Sequence, residues 1–171
     1  MITKSKYSDD GLFLIELQAK EKTLPFGWFD SKRIFLNETG IGIKRKLNAI
    51  PINYPHIVLH DYVVLPDFVG VFIEIRLANI SRDKRRKNES NHSKLNKIIP
   101  LTDIVIEFKL QTSQLLIKSG DDKFRWQKTK YSRINSSYNV YDVKKFLKKS
   151  AVDRKNAMLK THESGDISQY H

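Results

Sequence analysis

Two heptapeptides share one pattern, apolar-apolar-Ile-Glu-apolar-base-Leu: Val71-Phe72-Ile73-Glu74-Ile75-Arg76-Leu77 and Ile104-Val105-Ile106-Glu107-Phe108-Lys109-Leu110. With a side-chain period of two, the pattern predicts two half-buried strands whose Glu and basic residues share the outer face. If the two strands pair antiparallel, Glu74 faces Lys109 and Arg76 faces Glu107. The heptapeptides therefore predict the centre of a sheet, and by themselves they predict no activity.

Outward from this centre, five more short apolar stretches predict strands, and a late amphipathic stretch predicts a helix. The additional strands are expected at residues 11–17, 33–36, 41–44, 56–65 and 114–118. The helix is expected to follow Asn139 as N-cap, with an apolar face at Val143, Phe146, Leu147 and Ala151. The predicted fold class is α+β and mostly β, a seven-stranded, strongly bent sheet or partly open barrel covered by this helix.

The length and composition indicate one domain in a reducing compartment. The chain has 171 residues and no cysteine, and we expect a single domain at 1–160, a basic insertion at 81–97 and a flexible tail at 161–171. Neither a signal-peptide core nor a membrane-spanning apolar run is present in the sequence. The expected location is intracellular, cytoplasmic or nuclear, with attachment to a membrane surface left open, and no cofactor or metal is expected.

The basic residues are concentrated in two sections of the chain. The net charge is +12, yet residues 82–97 hold seven bases against two acids, and residues 123–160 hold twelve bases against two acids. Such clusters indicate an anionic partner, which could be nucleic acid, an anionic membrane or an acidic protein, or else a charged surface that only maintains solubility. The residues predicted to bind the partner are Arg82, Lys84, Arg85, Arg86, Lys87, Arg125, Lys128, Lys130, Arg133, Lys144, Lys145, Lys148 and Lys149.

The order of these elements resembles the pleckstrin-homology (PH) superfamily, which has seven strands closed by a C-terminal helix. The stretches that carry the resemblance are Gly27 to Leu36, Gly40 to Lys44 and Asp121 to Trp126. The last of these is similar to the start of the family's closing helix, which would then begin near Asp122 rather than after Asn139. The polar insertion before a late strand is similar to the GLUE and GRAM-like variants of the superfamily.

The resemblance implies a non-catalytic adaptor that binds a phosphoinositide membrane together with a protein partner. In lipid-binding members, bases around the first hairpin hold the phosphates. The positions that match in this sequence are Lys20, Lys22, Lys32, Arg33 and Lys44. A nucleic-acid-binding subunit of a larger complex is the alternative function, and the distribution of charge supports it equally well.

A magnesium-dependent nuclease of the PD-(D/E)xK type is a third, weaker hypothesis. It would use Pro66-Asp67 together with Glu107-Phe108-Lys109, the carboxylates holding the metal and the lysine activating water. A metal site at His56 and His60 is disfavoured, because residues four apart in a strand lie roughly 13 Å from each other. We therefore expect no enzymatic activity. The aromatics Phe124 and Trp126 within the second basic section are expected to be core residues.

Overall fold

The computed structural model describes residues 7–20, 24–30, 33–80, 98–135, 137 and 139–163. Within these residues, the fold is built mainly from six strands and three helices. In chain order they are β1 (Gly11–Gln18), β2 (Gly27–Phe29), β3 (Ile34–Leu36), α1 (Glu38–Asn53), β4 (Ile57–Leu65), β5 (Phe68–Ile75), α2 (Leu101–Lys118), β6 (Lys130–Ile134) and α3 (Val140–Glu163).

Four of the strands form one open sheet in the order β4-β5-β1-β6, and every neighbouring pair is antiparallel. With α1 between β1 and β4, and α2 between β5 and β6, the chain follows the βαββαβ order of ferredoxin-like domains. β2 and β3 form a separate two-stranded ribbon, in which Trp28 stacks on Phe35 at 5.4 Å between ring centroids.

The larger core lies between the sheet and the pair α1 and α2. Alternate residues of β1, Phe13, Ile15 and Leu17, are buried in this layer. They pack in one cluster with Ile43 of α1 and Phe108 of α2. This layer therefore contains most of the buried apolar surface that stabilises the described fold.

The other face of the sheet is covered by α3. Val143 and Leu147 of α3 pack on Leu14 and Phe72 in a second, smaller cluster. A Cβ at Gly70 would lie 2.8 Å from Leu147 Cδ1, so the glycine allows the helix to approach β5 closely. The two faces are thus covered very unequally, one by two helices and one by a single helix.

The strands predicted at 33–36 and 41–44 require a hairpin turn at residues 37–40, but these residues are the start of a helix. Asn37 is the N-cap of α1, and its side chain accepts a hydrogen bond from the Gly40 amide at 2.9 Å. A Cβ at Gly40 would come within 2.3 Å of the Phe26 carbonyl oxygen, so the glycine provides space for the β2–β3 ribbon rather than a hairpin turn.

The prediction of a seven-stranded barrel is not confirmed, although an α+β fold is. Residues 41–44, 104–110 and 114–118 are helical, because their apolar residues belong to longer segments with helical spacing. The predicted pairing of the two heptapeptides is also wrong, since β5 pairs with β1 and β4. The strands expected at 11–17, 33–36 and 56–65 are close to β1, β3 and β4.

The C-terminal helix begins after Asn139, as the apolar periodicity predicted. The Asn139 side chain accepts a hydrogen bond from the Asp142 amide at 2.9 Å, whereas residues 121–126 are not helical. The helix ends at Glu163, three residues into the section expected to be a tail. Within the described part of the chain, no helix is long and apolar enough to cross a membrane.

Candidate nucleic-acid interface

The exposed side of α3 carries four lysines that have no carboxylate partner among the described residues. Lys145, Lys148 and Lys149 are exposed, and Lys144 is half-buried beside them. Their spacing places all four within about two turns of helix, so they repel one another in the free protein. We call these four lysines, Lys144, Lys145, Lys148 and Lys149, the α3 basic face.

The position of the α3 basic face is determined by what anchors the opposite side of the helix. Val143 and Leu147 are buried on the sheet, and Arg154 binds Asp67 at 3.2 Å in the β4–β5 turn. The Arg154 guanidinium also lies 4.4 Å from the centroid of the Phe68 ring. Because these contacts fix the rotation of α3, its lysines point into solvent.

Two large aromatic side chains of α3 are exposed next to these lysines. Tyr141 is 72% exposed and Phe146 is 59% exposed. Phe146 was expected on the buried face of the helix, and this expectation was wrong. It lines an apolar groove instead.

The groove lies between the first turns of α3 and the edge strand β6. Its volume is about 380 Å³, and Leu14 lies at its base. Arg133 and Ile134 contribute from β6, while Asp142 and Phe146 contribute from α3. The exposed aromatic ring and the apolar walls of this groove are suited to a flat, mostly apolar ligand. The sequence did not identify this groove, because it depends on how α3 crosses the sheet.

The predicted basic residues that precede α3 fall into two groups. Lys128 is exposed and unpaired among the described residues, and Arg125 is exposed although its guanidinium donates to the backbone carbonyls of Asp122 and Phe124. Lys130 and Arg133 have structural partners: Lys130 pairs with Glu16 at 2.9 Å, and Arg133 donates to the Asp10 carbonyl at 2.8 Å. The hydrogen bond from Lys130 to Glu16 raises the pKa of the lysine. Lys123, exposed in the same section, was not included in the prediction.

The aromatics Phe124 and Trp126 belong to the core rather than to the interface. Phe124 is buried, and its ring lies 5.8 Å from that of Phe26. Trp126 packs against the same ring at 5.2 Å and bridges to Ala19. Both residues lie in an extended segment rather than in a closing helix.

Of the lipid-binding positions implied by the PH resemblance, the three that the structure describes are not brought together by one hairpin. Lys20 follows β1, Arg33 precedes β3, and Lys44 is on α1. The carboxylate of Asp30 accepts a hydrogen bond from the Arg33 amide at 3.2 Å. The remaining predicted binding residues lie outside the described residues: Lys22, Lys32, Arg82, Lys84, Arg85, Arg86 and Lys87.

The proposed nuclease residues are also separated. Asp67 binds Arg154 beneath α3, whereas Glu107 accepts a hydrogen bond from Tyr54 on the opposite side of the sheet. Glu107 and Lys109 are on a helix, so the strand that this motif requires is missing from that position. Across the described ranges, no group of three or more His, Asp or Glu residues is arranged to hold a metal ion.

The two histidines of the fourth predicted strand have separate protein partners. His56 is buried, with Nε2 2.9 Å from the Ile99 carbonyl oxygen. His60 lies at a register shift of β4, and its Nε2 is 2.8 Å from Glu74 Oε2. Burial opposes ionisation of Glu74, but hydrogen bonds from Arg76 and His60 outweigh it and lower the pKa of this carboxyl.

Comparison with known proteins shows only distant similarity. No family model matches the chain. An uncharacterised protein of Haemophilus influenzae is 28% identical over 69 residues, which is 40% of this chain and 38% of that protein. This chain therefore matches well under half of the length of that relative.

Two solved structures are similar in overall arrangement. A REP-associated tyrosine transposase bound to a REP hairpin has a TM-score of 0.46 and 13% identity, covering 86% of this chain and 68% of that one. A candidate transposase from Deinococcus radiodurans has a TM-score of 0.44 and 11% identity, covering 87% of this chain and 97% of that one.

These findings correct two predictions. The main prediction, a phosphoinositide-binding adaptor, is contradicted: the structural neighbours are transposases. The first-hairpin positions that the structure describes, Lys20, Arg33 and Lys44, lie on or beside separate elements. The expectation that the protein is not an enzyme is contradicted by the same neighbours. Membership of the PH-like superfamily itself is not tested and remains a prediction.

Proposed function

We propose that this protein binds nucleic acid through the α3 basic face. The observation that carries the proposal is the set of four lysines on one side of α3, none of which forms an ion pair among the described residues. The weak likeness to transposases is not needed for this proposal, because the chain's own surface supports it.

Within the described ranges, three other basic residues of the sheet and of α3 form ion pairs, which the four α3 lysines do not. Arg154 is neutralised by Asp67, Arg76 by Glu74 and Lys130 by Glu16. None of the four α3 lysines forms an ion pair among the described residues, so salt or an external anion reduces their mutual repulsion. A polyanion that displaces condensed counterions on binding is the partner for which such a cluster gives the largest gain in affinity.

The buried side of α3 favours nucleic acid over a membrane surface. An interfacial helix inserts its apolar face among lipid tails. In α3 that face is already occupied, since Val143 and Leu147 are buried on the sheet and Arg154 is held by Asp67. A membrane could be bound only by charge, whereas nucleic acid also offers bases that can contact Tyr141 and Phe146.

The test compares two variants that have the same net charge. The first changes Lys144, Lys145, Lys148 and Lys149 to Gln. The control changes four bases on the opposite side of the sheet to Gln, Lys44, Arg45, Lys46 and Lys118. Affinity for short duplex DNA, single-stranded DNA and RNA is measured by fluorescence anisotropy at several salt concentrations.

We expect the α3 variant to bind at least tenfold more weakly than the wild type and to show a shallower dependence on salt. The salt slope decreases by about 0.7 to 0.9 for each phosphate contact that is lost. The control should retain affinity within about threefold. Equal losses in the two variants would mean that only net charge matters, and an absence of binding by the wild-type protein would refute the proposal.

A further inference from the structure

Three large apolar side chains are exposed along one side of α2. Ile106 is 56% exposed, Leu110 is 62% exposed and Ile117 is 55% exposed. Spacings of four and seven residues place them on one stripe of a helix. This stripe, which we call the α2 stripe (Ile106, Leu110 and Ile117), faces away from the sheet and from α3.

Among the residues that the structure describes, none needs the α2 stripe for packing. The buried side of α2 is already complete, and it consists of Leu101, Ile104, Val105, Phe108, Thr112 and Leu116. Isoleucine is also a weaker helix former than the lysine or glutamate usual at exposed positions. Single exposed apolar residues are ordinary, but an aligned set marks a surface that is covered by something else.

The charges beside the α2 stripe indicate what covers it. Asp103 and Glu107 lie toward the N-terminal end of α2, and Lys118 is its last residue. If a second α2 is laid antiparallel across the first, with a two-fold axis between Leu110 and Ser113, Ile106 lies opposite Ile117 of the second copy. In the same arrangement Glu107 comes close to Lys118 of the second copy. A parallel arrangement would instead bring the acidic ends of the two helices together.

We propose that the α2 stripe is the docking surface for a second copy of this chain, with the two α2 helices antiparallel. The interface is isologous, so each copy contributes the same apolar stripe and the same pair of opposite charges. A helix of 18 residues is about 27 Å long. One stripe of this length covers less than the roughly 800 Å² per partner of a standard interface, so the expected dimer is weak, with a Kd on the order of micromolar.

This inference does not depend on the proposed function. The α2 stripe and the α3 basic face lie on opposite sides of the sheet, so a dimer leaves both α3 faces free. Dimerisation is therefore measured without nucleic acid, and its outcome leaves the binding proposal untouched.

The test is sedimentation equilibrium of the full chain between about 1 and 300 µM. We expect the average mass to rise with concentration from that of the 20.0 kDa monomer toward twice that value. Leu110→Lys places a charge in the middle of the stripe and should keep the protein monomeric over this range. Ile52→Lys is the matched control, since Ile52 is an exposed apolar residue at the end of α1, and it should dimerise as the wild type does.

A charge exchange tests the antiparallel arrangement. Glu107→Lys and Lys118→Glu should each weaken dimerisation several-fold, and the double variant should recover most of the loss. Circular dichroism of each variant checks that the fold is retained. A wild-type protein that stays monomeric at 300 µM overturns the proposal, as does equal behaviour of Leu110→Lys and Ile52→Lys. Failure of the double variant to recover overturns the antiparallel pairing.

Discussion

The heptapeptides 71–77 and 104–110 follow the same pattern of residue types, yet the first contributes to β5 and the second to α2. Ile73 and Ile106 occupy the third position of the pattern, and their exposures are 1% and 56%. In the strand, residues on both faces are buried because each face of the sheet is covered by helices. In the helix, the same pattern buries one side and exposes the other.

This difference shows that a pattern of seven residues is too short to distinguish a strand from a helix. Around the second heptapeptide, buried residues recur at helical spacing from Leu101 to Leu116, over more than four turns. Around the first, Pro66-Asp67 begins a short apolar run that ends at Ile75. The context on either side of the pattern, rather than the pattern, selects the element.

The largest expected difference is in the loss of stability when each isoleucine at the third position of the heptapeptides is replaced by alanine. Ile73→Ala removes a buried side chain and should lower the free energy of unfolding by about 2 to 5 kcal/mol. Ile106→Ala should change it by no more than about 0.5 kcal/mol, because the side chain is exposed in the monomer. Urea denaturation at about 0.1 µM protein, well below the expected Kd of the dimer, measures both. Comparable losses in the two variants would mean that 104–110 does not have the environment described.

Replacing the glutamates at the fourth position of the heptapeptides should give a smaller difference in stability. Glu74 is partly buried and accepts hydrogen bonds from Arg76 and His60, so Glu74→Gln should cost about 1 kcal/mol of stability. Glu107 is exposed and accepts from Tyr54 and Gln111, so Glu107→Gln should cost less than about 0.5 kcal/mol. The same denaturation experiment at pH 7 compares them, and a larger loss for Glu107→Gln would contradict the assignment.

The pH dependence of stability should also distinguish the two glutamates. The folded-state pKa of Glu74 is lowered by its partners. The contribution of Glu74 to the free energy of unfolding is therefore fully present above its unfolded-state pKa of about 4.3. This contribution is lost as the pH falls through the folded-state pKa. Stability curves between pH 3 and 7 should be flatter for Glu74→Gln than for the wild type. An unchanged slope would mean that the carboxylate is not stabilised by Arg76 and His60.

The smallest expected effect is spectroscopic. Burial, followed by the hydrogen bond to Glu107 and the negative charge of that residue, raises the pKa of Tyr54 to about 12. Glu107→Gln should lower this pKa but leave it above the ordinary value of about 10, because burial is the largest cause. The difference in phenolate absorbance between each protein and its Tyr54→Phe derivative isolates this residue. A midpoint that does not move would remove Glu107 from the environment of Tyr54.

The parts of the fold that local patterns could predict were β1, β3, β4, most of β5 and the C-terminal helix with its Asn139 cap. The parts that failed were those in which a short apolar run is compatible with either period, such as 41–44 and 114–118. A wider window would have found α2, whose buried residues keep helical spacing throughout.

For the candidate site, the sequence predicted a cluster of basic residues but not which of them are free to bind a partner. The concentration of lysines at 144–149 was evident in the sequence, but two of the predicted binding residues, Lys130 and Arg133, are held by Glu16 and the Asp10 carbonyl. The partners of these residues are more than a hundred positions away in the chain. No local pattern could have indicated them, nor the groove beside Phe146.

The unequal covering of the sheet has a consequence for how the molecule opens. The helices α1 and α2 share a cluster of twenty buried residues with the sheet, whereas α3 is held by a cluster of four and by the Arg154–Asp67 pair. We therefore expect α3 to be the first element to undergo local unfolding, with amide hydrogens that exchange sooner than those of α1. A polyanion bound to α3 would slow that exchange selectively, so the helix that carries the lysines would also report when they are occupied.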